Sequence, residues 1–148
     1  MPVIEDLQDT LRTELPVTQH LGIRVVSLDR EQVTLAAPLA GNHNHAGSAF
    51  AGSLNAIATL AGWSWMWALL RTHDVSARVV IQDSSITYER PVGSDFQATC
   101  SSPDEASITR LLAALERRGR GRLTLHVQVS DSAGPAATFR GRYVAQRL

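Results

Sequence analysis

The sequence predicts an α+β fold, an antiparallel sheet of about five to six strands wrapped around one long central helix, and three observations point to it. From Ser48 to about Leu70, Ala, Leu, Ile, Trp and Met occur on nearly every face, as expected of a helix buried all round. Short segments rich in Val, Ile and Leu flank that helix on both sides. Near the C-terminus Leu123, Leu125, Val127 and Val129 alternate with Thr124, His126, Gln128 and Ser130, the period of a half-buried strand. A sheet with one apolar face curled around the helix satisfies both burial demands at once.

The elements follow in order. Leu7, Leu11 and Leu15 recur every four residues among charged neighbours, which predicts a one-faced helix over Val3–Leu15, stopped by Pro16. Ile23–Leu28 and Gln32–Leu39 read as a hairpin around Asp29-Arg30-Glu31, with Pro38 ending the second strand. A polar loop, Gly41 to Gly47, leads into the buried helix. Arg78–Arg90 is a long strand, Pro91-Val-Gly-Ser a turn, and Phe96–Ser101 another strand. Pro103–Arg118 carries Ile108, Leu111, Leu112 and Leu115 at helical spacing, with Gly119 as its stop. After the alternating strand, Asp131-Ser-Ala-Gly-Pro135 turns the chain into Thr138–Ala145. Helix, two strands, long helix, then four strands with a small helix among them is the hotdog architecture, expected to fill residues 1–148 as one domain. The long strand Arg78–Arg90 would leave an open edge, which predicts pairing with a second copy, as a homodimer or a dimer of dimers.

Composition narrows the function. Fourteen basic residues, all Arg, balance fourteen acids, so no global field recruits nucleic acid or a membrane. The longest apolar run, around Trp63 to Leu70, is too short and too punctuated to span a bilayer. One Cys, Cys100, rules out an internal disulfide and a Cys-based metal cage. The start Met-Pro-Val-Ile-Glu-Asp lacks the basic and apolar regions of a signal peptide, which points to the cytoplasm. His43 and His45 form a His-x-His pair without a third ligand, so no metal is expected.

The chemistry-bearing stretch runs Pro38-Leu-Ala-Gly-Asn-His-Asn-His-Ala-Gly-Ser-Ala-Phe-Ala-Gly-Ser-Leu-Asn-Ala-Ile-Ala-Thr-Leu-Ala-Gly-Trp63. Together with Ile86-Thr-Tyr-Glu-Arg-Pro-Val-Gly, the Arg118-Gly-Arg-Gly-Arg-Leu run and Phe139-Arg-Gly-Arg-Tyr-Val, it resembles a hotdog thioesterase family related to the YiiD C-terminal domain, and the likeness covers nearly the whole chain. The resemblance associates the chain with decarboxylation of malonyl-acyl-carrier-protein to an acetyl thioester at the start of fatty acid synthesis. It implies a substrate carried on the phosphopantetheine of acyl carrier protein or coenzyme A, with no cofactor of the protein's own. Its Asn-x-Asn motif points to Asn44 as catalytic donor, with Asn42 as rival.

Physical logic runs parallel. The small residues around His45, Gly47, Ser48, Ala49, Phe50, Ala51 and Gly52 would let a thioester carbonyl approach the first turn of the buried helix, whose free N–H groups favour a developing oxyanion. Loss of CO2 from a malonyl thioester leaves an enolate, which a neutral carboxamide stabilises without repelling the departing carboxylate. Hydrolysis asks for a base instead, and many hotdog thioesterases carry an acid about seven residues beyond the Gly matching Gly52. Thr59 stands there, Asn55 lies one turn before it, and no carboxylate occurs from Gly41 to Leu70. Asp83 is the nearest acid that could act in hydrolysis, which remains the alternative, beside a non-catalytic acyl-thioester-binding dimer. Arg118, Arg120 and Arg122, with Arg117, make the one dense basic patch, expected either to cap the preceding helix or to serve function, Gly119 and Gly121 letting the chain approach a pantetheine phosphate while the Arg side chains meet the acidic face of a carrier protein.

Overall fold

The computed structural model describes residues 1–148. Ten elements follow one another: α1 (Ile4–Glu14), α2 (Val17–Leu21), β1 (Arg24–Leu28), β2 (Gln32–Ala37), α3 (Ala51–Thr72), β3 (Ala77–Tyr88), β4 (Phe96–Ser101), α4 (Glu105–Arg118), β5 (Arg120–Asp131) and β6 (Gly134–Arg147). The six strands form one antiparallel sheet in the order β1-β2-β4-β5-β6-β3. With α3 packed on its concave face, this is the hotdog fold.

α1 buries Leu7 and Leu11, and the Gln8 carboxamide pins it to β1 by accepting from Val25 N–H at 2.7 Å and donating to the Ile23 carbonyl at 3.3 Å. Pro16 does end α1, but it also opens the five-residue α2, a stretch to which the sequence assigned no element. One turn is too short to show a period; its marker is Gly22 in the left-handed region at φ 70°, where a helix commonly stops.

α3 buries thirteen of its 22 residues, among them Leu54, Ile57, Ala61, Trp65 and Met66. It begins at Ala51 rather than Ser48, because Phe50 is extended (ψ 131°) and Ala49 bridges back to His43. It lies tightly against the sheet at Gly62, where an added Cβ would stand 2.2 Å from the Tyr143 hydroxyl of β6. That hydroxyl donates to the Thr59 carbonyl at 2.6 Å, and its burial pushes the phenol's pKa upward.

Besides the β1 rim, two strand edges lack a neighbouring strand. β3 pairs only with β6, so a 12-residue strand forms one rim of the sheet with Val80 and Tyr88 exposed. A bulge falls between Ile81 and Asp83. On β5, β4 covers only Val127–Ser130, and α4 lies alongside the first half of the strand instead. Asp104 caps α4 by accepting from Ser107 N–H at 3.1 Å and Oγ at 2.7 Å, bonds that hold its pKa below the usual carboxylate value.

Candidate functional site

The loop between β2 and α3 is built from its own polar groups. Asn44 N–H donates to the Ser48 carbonyl at 2.7 Å, and Gly47 N–H returns to the Asn44 carbonyl at 3.2 Å. The Asn44 side chain fills the turn: Oδ1 accepts from Ala46 N–H (2.8 Å) and Ser48 N–H (3.2 Å), and Nδ2 donates to Ser48 Oγ (2.9 Å). One Nδ2 hydrogen of this half-buried residue has no acceptor in the chain. Gly47 sits at φ 82° with open space around it. His43, His45 and Ala46 are exposed on the outside of the turn.

Asn42 is placed differently. It is 3% exposed, and Nδ2 donates to the carbonyls of Leu21 (2.8 Å) and Pro38 (2.9 Å), which ties the loop to the end of α2 and leaves the amide no free donor. Its Oδ1 is buried without a partner. Asn42 thus braces the loop, and of the two asparagines Asn44 alone keeps a hydrogen to offer.

The loop delivers the chain to α3 through two backbone bonds, Phe50 N–H to the Asn42 carbonyl (2.7 Å) and Ala49 N–H to the Val92 carbonyl (2.8 Å). Ser53 and Leu54 N–H both turn to the Phe50 carbonyl, whereas Ala51 and Gly52 N–H find no acceptor in the protein. These two donors stand at the positive end of a 22-residue helix. The sequence reading gave Gly52 to ligand access; in the structure the Phe50 ring occupies that side, 2.3 Å from where a Cβ would lie. Phe50 itself is 57% exposed, so the ring is a cover over the first turn rather than part of the core.

Along α3 the less buried stripe runs Gly52, Asn55, Ala56, Thr59 and Trp63, facing β3. Thr59 Oγ1 bonds the Asn55 carbonyl at 2.8 Å, and Trp63 Nε1 donates to the Val79 carbonyl at 3.2 Å. Trp65 and Trp67 are buried. No acid stands on this stripe. Asp83 lies mid-strand on β3, half-exposed, with its carboxylate 3.9 Å from Arg140 and 3.6 Å from Arg142.

Arg118, Arg120 and Arg122 line a cavity of about 660 Å³ between α4 and β5, joined there by Arg110, Ser107 and Thr124. Gly119 ends α4 at φ 72° with its N–H on the Leu115 carbonyl, as the sequence predicts. Gly121 does not open a path for phosphate: Leu111 fills the space its side chain would take, at 2.8 Å.

Two structural contributors escaped the sequence reading. Arg90 pairs with Asp131 (Nη2 to Oδ1, 2.6 Å; Nη1 to Oδ2, 3.1 Å), and Asp131 also accepts from Gly93 N–H (3.1 Å) and Ala133 N–H (2.9 Å). The guanidinium holds the Asp131 carboxyl far below the usual carboxylate range. This clamp fixes the Pro91–Gly93 turn, whose Val92 carbonyl receives Ala49. The second is Tyr88, whose hydroxyl donates to the Ala51 carbonyl at 3.1 Å and so joins the end of β3 to the first turn of α3. Partial burial raises its pKa.

Solved structures share this architecture. A protein of unknown function from Chlorobaculum tepidum superposes with a TM-score of 0.93 at 26% identity, over 97% of this chain and 94% of that one. A protein of Shewanella oneidensis described as a "putative thioesterase" gives 0.86 at 29% identity, over 97% and 96%. A Pseudomonas aeruginosa protein described as a "probable thioesterase" gives 0.85 at 25% identity, over 100% and 99%. The family model described as "Putative thioesterase (yiiD_Cterm)" matches residues 4–147, and the chain belongs to that family.

Proposed function

We propose that the protein is a malonyl-thioester decarboxylase, acting on malonyl carried by a phosphopantetheine arm and yielding the acetyl thioester. The bond between the carboxylate and the α-carbon breaks, its electron pair passes to the thioester as an enolate, and a proton from solvent completes the acetyl group. The protein's task is to hold the enolate oxygen. The observation that carries this reading is the conjunction of two unused N–H groups, Ala51 and Gly52, with the free Asn44 hydrogen on the adjoining turn, on a helix stripe without a carboxylate. Preorganised neutral donors of this kind stabilise developing negative charge at no reorganisation cost. Phe50 would swing aside to admit the thioester and then exclude water.

Two copies are expected to join along β3, since an antiparallel edge of twelve residues can continue the sheet into a second one. The deciding experiment follows malonyl-carrier protein and malonyl-coenzyme A by mass spectrometry. Acetyl thioester is the expected product. Free thiol with free malonate would replace the reading with thioester hydrolysis, to which the family description also lends weight. Unchanged substrate would leave a binding protein.

A further inference from the structure

The hollow between α4 and β5 borders a stretch of sheet that no strand covers. β4 meets β5 only from Val127 to Ser130, so the earlier half of β5 has β6 on one flank and no strand on the other. The ladder fixes which backbone groups this exposes. Arg147 N–H donates to the Gly119 carbonyl at 2.8 Å, and the register runs unbroken from Arg120 opposite Gln146 to Val129 opposite Ala137. Residues of an antiparallel strand turn their N–H and C=O to alternate sides. Gly119, Gly121, Leu123 and Leu125 therefore face β6, whereas Arg122, Thr124 and His126 present both groups to the open flank. No backbone or side-chain group of the chain bonds them there.

α4 forms the facing wall. Ser107, Leu111, Ala114 and Arg118 fall at spacings of three and four, so one stripe of the helix looks across the hollow at Arg122 and Thr124. No acid lines the space. The chain's ion pairs engage Arg12, Arg90, Arg140 and Arg142, which leaves Arg110, Arg118, Arg120 and Arg122 without a carboxylate; Arg110 reaches the Ser107 hydroxyl at 3.1 Å.

These features select the occupant. A small anion would answer the guanidiniums and the N–H groups, but its oxygens would stand against the carbonyls of Arg122, Thr124 and His126. A second copy of β5 would bring its own arginines against these. An extended polypeptide offers donors and acceptors in the same alternation as the edge, and acids on it neutralise the arginines. The faces are set as well. Arg120 and Arg122 are exposed on one side of β5, while Gly121, Leu123 and Leu125 are buried on the other, where Leu111 packs. Side chains of paired strands share faces, so acids belong at every second position of the added strand and compact apolar residues between them.

We infer that α4 and the free edge of β5 form a groove that takes up an acidic, extended segment of another protein, which joins the sheet as a strand beside Arg120–His126. At ~3.3 Å per residue that edge spans about 20 Å, enough for a segment of about six residues. Docking of this kind does not depend on the thioester chemistry.

The probe is a fluorescein-labelled peptide of about six residues, matched to the free edge, that alternates Glu and Val. Anisotropy with the intact protein should show saturable binding that weakens as salt rises. Arg120→Glu/Arg122→Glu should raise Kd at least tenfold. Thr124→Pro removes an outward N–H and keeps every charge, a change that an edge position tolerates, and should raise Kd about fivefold with little change in melting temperature. The peptide carries the same test with the protein unaltered. N-methylation of the alternate residues whose N–H groups face β5 should raise Kd at least tenfold, and methylation of the other set should leave it within about twofold. Which set is sensitive also reads out whether the segment runs parallel or antiparallel to β5. Amide hydrogen exchange should slow at Arg122, Thr124 and His126 when the peptide is added, and not at Leu123 and Leu125, which β6 already holds. Equal affinities of the two methylated peptides would make the groove a plain anion site and overturn the inference, as would full displacement of the peptide by an equal concentration of tripolyphosphate. Absence of binding by peptides of this pattern would overturn it too.

Discussion

Asn44 and Ser48 close one turn on each other three times over, through Asn44 N–H to the Ser48 carbonyl (2.7 Å), Ser48 N–H to Asn44 Oδ1 (3.2 Å) and Asn44 Nδ2 to Ser48 Oγ (2.9 Å). The same carboxamide is therefore both a brace and the proposed enolate donor, and its two parts separate the roles. Asn44→Asp keeps the acceptor that the Ala46 and Ser48 amides need, and Ser48 can donate in turn, but it places a negative charge where the enolate forms. We expect Asn44→Asp to fold with nearly the parent melting temperature and to lose at least about 100-fold in kcat. Asn44→Ala should lose activity and also about 1–2 kcal/mol of stability, from the unanswered amides. Thermal melts beside initial rates check both; a fully active Asn44→Asp would refute the donor role.

The Arg90–Asp131 clamp acts on the site through Val92 and Ala49. Its carboxyl pKa is depressed in the folded state, so the stability it confers is complete above the unfolded value near 3.8 and is lost as pH falls below it. Asp131→Asn should lower the melting temperature at pH 7 on the order of 5–10 °C, and the gap from the parent should narrow progressively once the pH drops below about 4. Melting curves followed by circular dichroism across that range decide it. A gap that persists undiminished at low pH would assign the effect to packing alone.

How much of this was legible in the sequence depended on how each feature reveals itself. Elements with a long period were plain: α3 was apolar on all faces, β5 alternated strictly, and α1 repeated Leu every fourth residue. Element ends and pairings were not. The start of α3 moved from Ser48 to Ala51 because Ala49 bonds Val92, a residue 43 positions on, and no local rule encodes that contact. The resemblance put Asn44 ahead of Asn42, but the residues themselves offered no physical distinction; burial and the carbonyls of Leu21 and Pro38 supply it. Arg90 closed an expected strand and Asp131 opened an expected turn, but what joins the two lies in the register between β3, β6 and β5. Gly121, taken for a phosphate approach, answers instead to Leu111 packing against it.

The contact between Gly62 and Tyr143 sets how closely α3 lies on the sheet. Tyr143→Phe removes the 2.6 Å bond to the Thr59 carbonyl while keeping the ring, and should cost about 1 kcal/mol. Gly62→Ala cannot keep the packing, since its Cβ would enter the Tyr143 hydroxyl, and should cost several times as much. Combining the two should recover only the part of the loss owed to the hydroxyl oxygen, because the ring's Cζ and Cε2, 2.5 and 2.7 Å from the added Cβ, remain in its way. Chemical denaturation of the three variants tests this non-additivity; simple addition would mean that the helix shifts away rather than pressing on the ring.

Asp83 decides between the two chemistries by what its removal leaves intact. Its side chain is half-exposed between Arg140 and Arg142, an arrangement that contributes little to stability. Decarboxylation at Ala51, Gly52 and Asn44 needs no protein group to gain or lose a proton, so Asp83→Asn should hold malonyl turnover within about twofold, with a flat rate profile across neutral pH. Hydrolysis with Asp83 as base would instead drop by about 100-fold or more in that variant and would show an acid limb in the parent. Measuring CO2 release and thiol release in parallel, on the same samples and over the same pH range, separates the two chemistries even if both occur on one protein. CO2 release that falls with Asp83→Asn would mean that charge on β3, rather than the helix amides alone, shapes the reacting carboxylate's surroundings.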